Sequence, residues 1–346
     1  MTERESELRE AVWADPEPDA PRMVYADYLQ QQGDPLGELI ALQLDRARTG
    51  ARPSDRESEL SQALPRHRAA EPLGPHLGLY SIERGFLAHA MPSPRMTHAL
   101  AMHPAWSTVT RLELDGDAPP ALLANPALRA RTLAAREEQL VTLASRAQPF
   151  PFTSLVAINP HWGLTFTPDQ RSVFDHRGAF DHVRLLSVSA RGLEELDDVT
   201  DTRLFRQLEH LDLSFTSVRV DDLSLWLRWF ESGRIPRVSF QIALGADDPM
   251  RGRMFPYRSF ATHYTCLVLD RSEHVTLQIS EPTEARQLAK LVQAVDELCA
   301  GRTTVEIHDL GDSNQIASRQ ALVLAALRDR FAEVRAVTGP VQAVVP

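Results

Sequence analysis

The chain has 346 residues, of which 43% are apolar and 7% aromatic, so it can bury a sizeable core and is not disordered as a whole. Its formal net charge of −10 argues against broad binding to a nucleic-acid backbone, and its two cysteines are too few for a disulfide scaffold or a cysteine zinc site. The charged N-terminus and the lack of any window of about 18 apolar residues predict a soluble cytoplasmic protein without a membrane span.

Two short helices are predicted at the start of the chain. Apolar residues recur at helical spacing over 3–14, and the following Asp15-Pro16 ends that helix because a residue before proline avoids helical angles. Asp19 can cap a second helix over 20–32, and Gly33 fits the position that ends it.

A third helix is predicted to begin at Asp34-Pro35, which supply a cap and a first-turn proline. Its expected buried face consists of Leu36, Leu39, Ile40, Gln43 and Leu44. Residues 47–59 are polar and are predicted to form a loop or a frayed continuation of this helix.

The motifs in this region are Ala14-Asp15-Pro16, Ala20-Pro21-Arg22, Val24-Tyr25-Ala26-Asp27-Tyr28-Leu29, Gly33-Asp34-Pro35 and Glu38 with Gln43. Together they resemble the bacterial repeat-companion domain family, and residues 73–87 resemble that module's tail, where a first strand usually starts. The resemblance implies a helical module over 1–95 that sits in front of a repeat array. It implies no catalytic residues.

Four polar residues of these motifs could form a site: Arg22, Tyr25, Asp27 and Glu38. Arg22 and Asp27 are five positions apart and therefore lie roughly 140° apart around a helix. We interpret the four as internal salt bridges or cap contacts, with a docking surface and a catalytic site as the alternatives.

Residues 208–218 match the leucine-rich-repeat consensus through Leu208, Leu211 and Leu213. Weaker copies are predicted at 109–114, 152–157, 183–188, 235–240 and 264–269. The steps from residue 183 onward are 25, 27 and 29 residues, inside or at the edge of the range for this repeat class. The earlier steps of 43 and 31 residues require a long first insert, which a predicted helix over 127–146 could fill.

The C-terminal part alternates strands and helices. Strands are predicted near 267–269, 275–279, 304–307 and 334–337, and helices over 284–299 and 317–331. The first two strands are too close for a helix between them and are predicted to form a hairpin. The fold class that follows is α/β, with an N-terminal helical cap followed by an irregular leucine-rich-repeat-like solenoid over 96–346. The alternative is that 265–346 forms a distinct small α/β unit.

The sequence contains no phosphate-binding glycine loop, no nucleophile elbow and no His-Glu-x-x-His motif. The twelve histidines are scattered, and the acidic stretches at 115–117 and 309–314 are typical of turns rather than of calcium loops. We therefore predict no catalytic, cofactor-binding or metal-binding residues.

A long connection at 245–264 combines arginines with aromatic residues, a mixture that often anchors protein interfaces. Its predicted partner-binding residues are Arg251, Arg253, Phe255, Tyr257, Arg258 and Phe260. The alternatives are a loop that tucks its aromatic rings under the solenoid and a single-stranded nucleic-acid site at 251–258. Residues 159–182 form a similar connection.

The leading hypothesis is a non-enzymatic scaffold or recognition protein that binds a protein partner through the strand face and the 245–264 loop. The alternative is an enzyme with a dispersed active site. The strand positions expected to be exposed are Arg111, Glu113, Arg184, Ser187, Glu209, His210, Asp212, Arg237, Ser239 and Gln241. Of these, Glu209, Asp212, Arg237 and Gln241 are the predicted partner contacts.

Overall fold

The computed structural model divides the chain into two compact units, residues 1–155 and 156–346. It describes the first unit except residues 1, 52, 65–67, 115–118 and 145–149. Beyond it, the described residues are 156–158, 175, 178–188, 193, 196, 200–219, 222–233, 235–243, 265–270, 275–279, 303–308 and 334–337. The domain boundary predicted between residues 95 and 96 stays a prediction.

The first unit begins with four α-helices: α1 (Glu3–Ala14), α2 (Asp19–Gln31), α3 (Pro35–Thr49) and α4 (Asp55–Ala63). Short 3-10 helices at Arg68–Ala70 and Gly74–His76 lead into the strands. The three predicted helices are confirmed. Of the loop or frayed continuation predicted over 47–59, the continuation is confirmed as far as Thr49, where α3 ends, but the segment from Asp55 onward is helix α4 and not a loop.

Polar side chains define where these helices begin. The Asp34 carboxylate accepts a hydrogen bond from the backbone N–H of Leu36 at 2.9 Å, as an N-cap residue does. The Ser54 hydroxyl caps α4 in the same way, through the N–H of Glu57 at 3.1 Å. The predicted capping role of Asp19 is wrong: Pro18 is the N-cap of α2, and Asp19 is its first residue.

The helices share one apolar core with the first strands. Its most deeply buried members include Tyr25, Leu29, Leu36 and Ile40, and Phe86, the first residue of a strand, joins them. Burying each large apolar side chain stabilises the unit by about 1.5–3 kcal/mol. α2 and α3 approach closely at Gly37, where an added Cβ would lie 2.6 Å from a backbone oxygen of α2.

The strands of the first unit are β1 (Leu77–Glu83), β2 (Phe86–Pro92), β3 (Arg111–Leu114) and β4 (Thr132–Arg136), with β5 (Ser154–Ile158) at the point of division. β1 and β2 form an antiparallel hairpin, whereas β2, β3 and β4 are parallel. Three short helices lie among them: α5 (His98–Ala101), α6 (Pro120–Leu123) and α7 (Glu137–Ala144), with a 3-10 helix at Pro104–Thr108.

The sequence analysis missed β4. The predicted helix over 127–146 is wrong for its first half, because β4 occupies Thr132–Arg136 and α7 begins only at Glu137. The long insert inferred from the 43-residue step is therefore also wrong. Ala130 and Ala135 are fully buried on either side of Leu133, in positions where the consensus has larger aliphatic residues.

The described elements of the second unit are β6 (Leu185–Ser187), α8 (Arg203–Gln207), β7 (His210–Arg219), α9 (Leu223–Ser232), β8 (Arg237–Ala243), β9 (Thr265–Asp270), β10 (Val275–Ile279), β11 (Thr303–His308) and β12 (Val334–Val337). β6, β7 and β8 pair in parallel, as do β10, β11 and β12. The structure is thus a mixed α/β protein with N-terminal helices and a largely parallel strand arrangement.

β9 departs from this pattern, because it runs antiparallel to both β8 and β10. The hairpin predicted between 267–269 and 275–279 is confirmed. The prediction of 264–269 as one more parallel copy is wrong. The helices predicted over 284–299 and 317–331 lie outside the described residues.

The described residues contain no helix that is long and apolar enough to cross a membrane.

Candidate functional site

The predicted contact loop at 245–264 lies outside the described residues. The same holds for its residues Arg251, Arg253, Phe255, Tyr257, Arg258 and Phe260 and for most of the 159–182 connection. Gln241 belongs to β8, but its side chain is not among those described. The described candidates are therefore the polar side chains of the strands and of the helical module.

A buried polar cluster links three parallel strands of the second unit. Ser187, Asp212 and Ser239 lie side by side in register on β6, β7 and β8. The Ser187 and Ser239 hydroxyls donate to the two oxygens of Asp212 at 2.9 and 2.8 Å. His210 Nε2 lies 2.9 Å from the Ser239 Oγ. We call these four residues the Asp212 network.

The proton positions in the Asp212 network follow from its partners. A carboxylate only accepts hydrogen bonds, so each serine uses its single proton on Asp212. The Ser239 oxygen then accepts from His210, whose Nε2 must carry the proton. A serine nucleophile must also be reachable by a substrate, whereas Ser187 and Ser239 are only 1% and 2% exposed. The arrangement is therefore one of positioned structural hydrogen bonds rather than of an activated nucleophile.

The predicted exposure of the strand face is wrong for half of its positions. Glu113, Ser187, His210, Asp212 and Ser239 are at most 6% exposed. Asp212 is a predicted partner contact, yet its carboxylate is used by two neighbouring strands. Arg111 and Arg237 are half-buried.

Exposed side chains lie just before the strands instead. Arg184 and Glu209 precede β6 and β7, are 44% and 75% exposed, and form an ion pair at 3.8 Å. In the first unit, Arg131 precedes β4 and is 71% exposed. At the start of β7 the backbone N–H groups of Glu209 and His210 both donate to the carbonyl of Arg184, at 2.8 and 3.1 Å, as in a β-bulge.

A second polar pair lies on the strands of the first unit. His89 Nε2 is 3.0 Å from the Glu113 carboxylate, which is completely buried. The other Glu113 oxygen has no hydrogen-bond partner among the described residues. A buried oxygen without a hydrogen bond lowers folding stability, so the polar groups of this pair are only partly hydrogen-bonded.

The motif residues of the helical module make internal contacts. The buried Arg22 guanidinium donates to the carbonyls of Pro16 and Pro18 and lies over the Phe86 ring. Burial, and after it the charge of nearby Arg84, lower the pKa of Arg22 to about 10, so the side chain stays cationic at neutral pH. The contacts agree with the structural interpretation of Arg22.

The other motif residues divide between core and surface. Tyr25 is 1% exposed, and its hydroxyl donates to Glu5 at 3.3 Å. Glu38 accepts two hydrogen bonds from Arg56 of α4, at 2.8 and 2.7 Å. Asp27 is exposed, and the structure gives it no role.

Arg68 connects separate parts of the module. Its guanidinium contacts Glu5 of α1 at 2.7 Å and the capping residue Asp34 at 2.8 Å. Burial raises the pKa of Glu5, but the hydrogen bond and charge of Arg68, with help from Arg9, lower it by more, so the net pKa lies below the usual value. The ionised form of Glu5 is therefore stabilised by folding.

Acid is expected to weaken the module through Glu5. Because the folded pKa is depressed, the unfolded chain takes up this proton first, and the stabilisation present above about pH 4.5 is lost as the pH falls through the folded pKa. In urea unfolding, the free energy of unfolding of Glu5→Gln should fall less between about pH 6 and pH 3 than that of the unsubstituted protein. Glu3→Gln, an exposed change on the same helix, should keep the full loss; equal slopes for Glu5→Gln and the parent would contradict the assignment.

The turn of the β1–β2 hairpin docks onto the helices. Arg84 and Gly85 both have positive φ, 51° and 78°, as a tight hairpin turn requires. The N–H of Gly85 donates to the Gln43 side chain at 2.7 Å, and Arg84 pairs with Asp19 at 3.0 Å. Gln43, expected on the buried face of the third helix, thus holds the first hairpin against it.

A groove of about 300 Å³ opens beside α1. Its lining consists of Ser6, Arg9, Glu10, Trp13, Glu71, Pro72 and His103. The sequence analysis did not select this site. The available signal was the spacing of Ser6, Arg9, Glu10 and Trp13, which places them on one face of a helix.

No group of three or more residues able to hold a metal ion occurs in the described part of the chain. Comparisons with protein-family models, with curated proteins and with solved structures found no match to this chain.

Proposed function

We propose that this chain is a non-enzymatic interaction or scaffold protein of the bacterial repeat-companion type. In this proposal a helical module over 1–95 precedes an irregular leucine-rich-repeat-like solenoid over 96–346, which binds a protein partner. The exposed strand-start residues and the 245–264 loop supply the contacts. The buried Asp212 network supplies rigidity instead of partner contacts.

The observation that supports this proposal most is the burial of equivalent consensus positions. The first apolar position is buried in the predicted copies whose side chains are described, at Val109, Phe152, Val183, Leu208 and Ile235, and also at Ala130 in the additional copy at β4. The second is buried at Leu112, Leu133, Leu155, Leu186, Leu211 and Val238. Paired strands also place these second positions opposite one another, as in Leu112 with Leu133 and Leu186 with Leu211. Stacked repeats bury their apolar residues in this way.

The position after the first apolar residue supports the location of the binding surface. It is exposed at Thr110, Arg131, Thr153, Glu209 and Pro236 and half-buried at Arg184. Its residues are threonine, arginine, glutamate or proline, whereas the apolar positions keep their character. Such variable exposed positions on a regular framework suit selection of one partner by charge.

Exchanging the charges of the strand-start pair should impair partner binding. Arg184→Glu combined with Glu209→Arg keeps an ion pair at the same place but exchanges the positions of the positive and the negative charge that a partner contacts. Affinity capture from native cells should recover the partner at least about 10-fold less efficiently than with the parent chain. Folding stability should fall by about 1–2 kcal/mol, because glutamate at position 184 cannot donate the hydrogen bonds that Arg184 makes to the carbonyls of Asp181 and Val183.

The matched control is the pair Arg4 and Glu7 on α1, whose side chains meet at 2.9 Å and are exposed. Arg4→Glu with Glu7→Arg makes the same exchange away from the strands and should leave the recovered proteins unchanged. If both exchanged variants recover the same proteins as the parent, the strand-start row does not bind the partner.

A further inference from the structure

The groove beside α1 has flat apolar walls. The rings of Trp13 and His103 meet edge to face, with centroids 5.0 Å apart and planes at 85°, and Pro72 lies on the same lining. His103 is held in place because its Nδ1 accepts the backbone N–H of Ala105 at 3.1 Å. These fixed rings can pack against the aliphatic stem of an entering side chain.

The groove also contains carboxylates with acceptor capacity left over. Glu10 is exposed and makes no ion pair with the described residues. Glu71 meets Arg9 at 3.5 Å and Arg68 at 3.4 Å. A carboxylate offers about four acceptor sites, so these two contacts do not exhaust Glu71. Two carboxylates with acceptor capacity therefore line one small groove.

The positive charge of Arg9, the cationic residue in the groove, is already balanced by neighbouring groups. The Arg9 guanidinium also donates to the backbone carbonyl of Glu71 and lies over the Trp13 ring, 5.3 Å from its centre. Burial lowers the pKa of His103, and Arg9 lowers it further while Glu10 opposes the shift. At neutral pH the His103 ring is consequently uncharged, and Glu10 leaves the lining with a net negative charge.

We propose that this groove binds an arginine side chain of a partner protein. Charge complementarity selects a cation, since an anion would face Glu10 and Glu71 together. The planar guanidinium can stack against the rings and direct several N–H donors to two carboxylates at once, which a single ammonium does less well. The groove adds a second contact to the proposed interaction function, but its chemistry is independent of the strand-start row.

The probe for this proposal is the tripeptide acetyl-Gly-Arg-Gly-amide, titrated into the full chain and followed by NMR at the indole N–H groups. Binding should saturate and shift one indole signal, which Trp13→Ala removes. The matched peptide with citrulline in place of arginine keeps the shape and loses the charge. It should bind at least about 10-fold more weakly. No saturable binding, or equal binding of the two peptides, would overturn the proposal.

Substitution at Glu10 tests the site without a packing change, because that side chain is exposed. Glu10→Gln should weaken binding of the arginine peptide about 3- to 10-fold. Glu3→Gln removes the same charge from α1 outside the groove and should change binding less than about 2-fold. Equal effects of the two substitutions would show that the peptide is attracted only by the overall charge of the protein, and would overturn the proposed site. The Arg184–Glu209 exchange should not change the affinity for this peptide. The peptide titration therefore tests the groove alone, and partner capture with the exchanged variant tests the proposed function alone.

Discussion

Replacing Gly85 by alanine is expected to destabilise the first unit by about 3–4 kcal/mol. The added Cβ would lie 2.0 Å from Cγ1 of Ile40, a fully buried residue of the helical core. Overpacking of this kind costs about 1–3 kcal/mol, and the positive φ of 78° adds about 1–2 kcal/mol for a residue with a side chain. Relief by moving the turn would stretch the 2.7 Å hydrogen bond to Gln43. Urea unfolding followed by circular dichroism measures the loss.

Two other glycines separate the backbone cost from the packing cost. Gly33 and Gly50 have φ values of 71° and 69°, and nothing lies within 4 Å of an added Cβ at either position. Alanine at Gly33 or Gly50 should therefore cost only about 1–2 kcal/mol. A Gly85→Ala variant that is no less stable than these two would show that the hairpin turn does not pack tightly on α3.

Replacing Asp212 by alanine is expected to destabilise the second unit by about 3 kcal/mol. The substitution leaves two buried serine hydroxyls without their acceptor, and hydrogen bonds to a charged group contribute about 1.5–3 kcal/mol each. The Ser239 hydroxyl is also the link to His210, so the substitution disturbs residues on three strands. The loss should be measured as a shift of the urea unfolding transition.

Glu209 is the control for this substitution, since it lies three positions away and is 75% exposed. Glu209→Ala should change stability by less than about 0.5 kcal/mol and should instead reduce partner recovery. If Asp212→Ala unfolds at the parent's urea concentration, the serines have found other partners, and Asp212 is not a structural centre.

Local signals in the sequence were sufficient for the first three helices of the module. Proline, glycine and aspartate at helix ends have effects that depend on a few neighbours, so Gly33 and Asp34 could be assigned correctly. The exception is Asp19, which follows the N-cap Pro18 as the first residue of α2 and pairs with Arg84 of the hairpin. α4 was missed because its face is narrow: only Glu57 and Leu60 of that helix are buried.

The strands were harder because their positions depend on neighbouring strands. β4 is Ala-rich, and alanines count as good helix formers when read alone. Only the parallel pairing of Leu133 with Leu112 shows that they occupy a strand. The predicted exposure of the strand face was wrong for a related reason. Alternation predicts which side chains share a face, but it does not reveal that Ser187 and Ser239 enclose the carboxylate of Asp212. The groove combines α1 with Glu71 and His103, a combination that local spacing cannot predict.

The antiparallel strand β9 has a consequence for how the second unit folds. β9 ends at Asp270 and β10 begins at Val275, so this hairpin closes over a very short loop, and hairpins form within about 1–10 μs. The parallel pair β6–β7 joins residues 25 positions apart and must overcome a larger loop-closure entropy. Folding is therefore expected to begin at the β9–β10 hairpin and spread outward in both directions, so that β6 and β12 acquire protection from hydrogen exchange last.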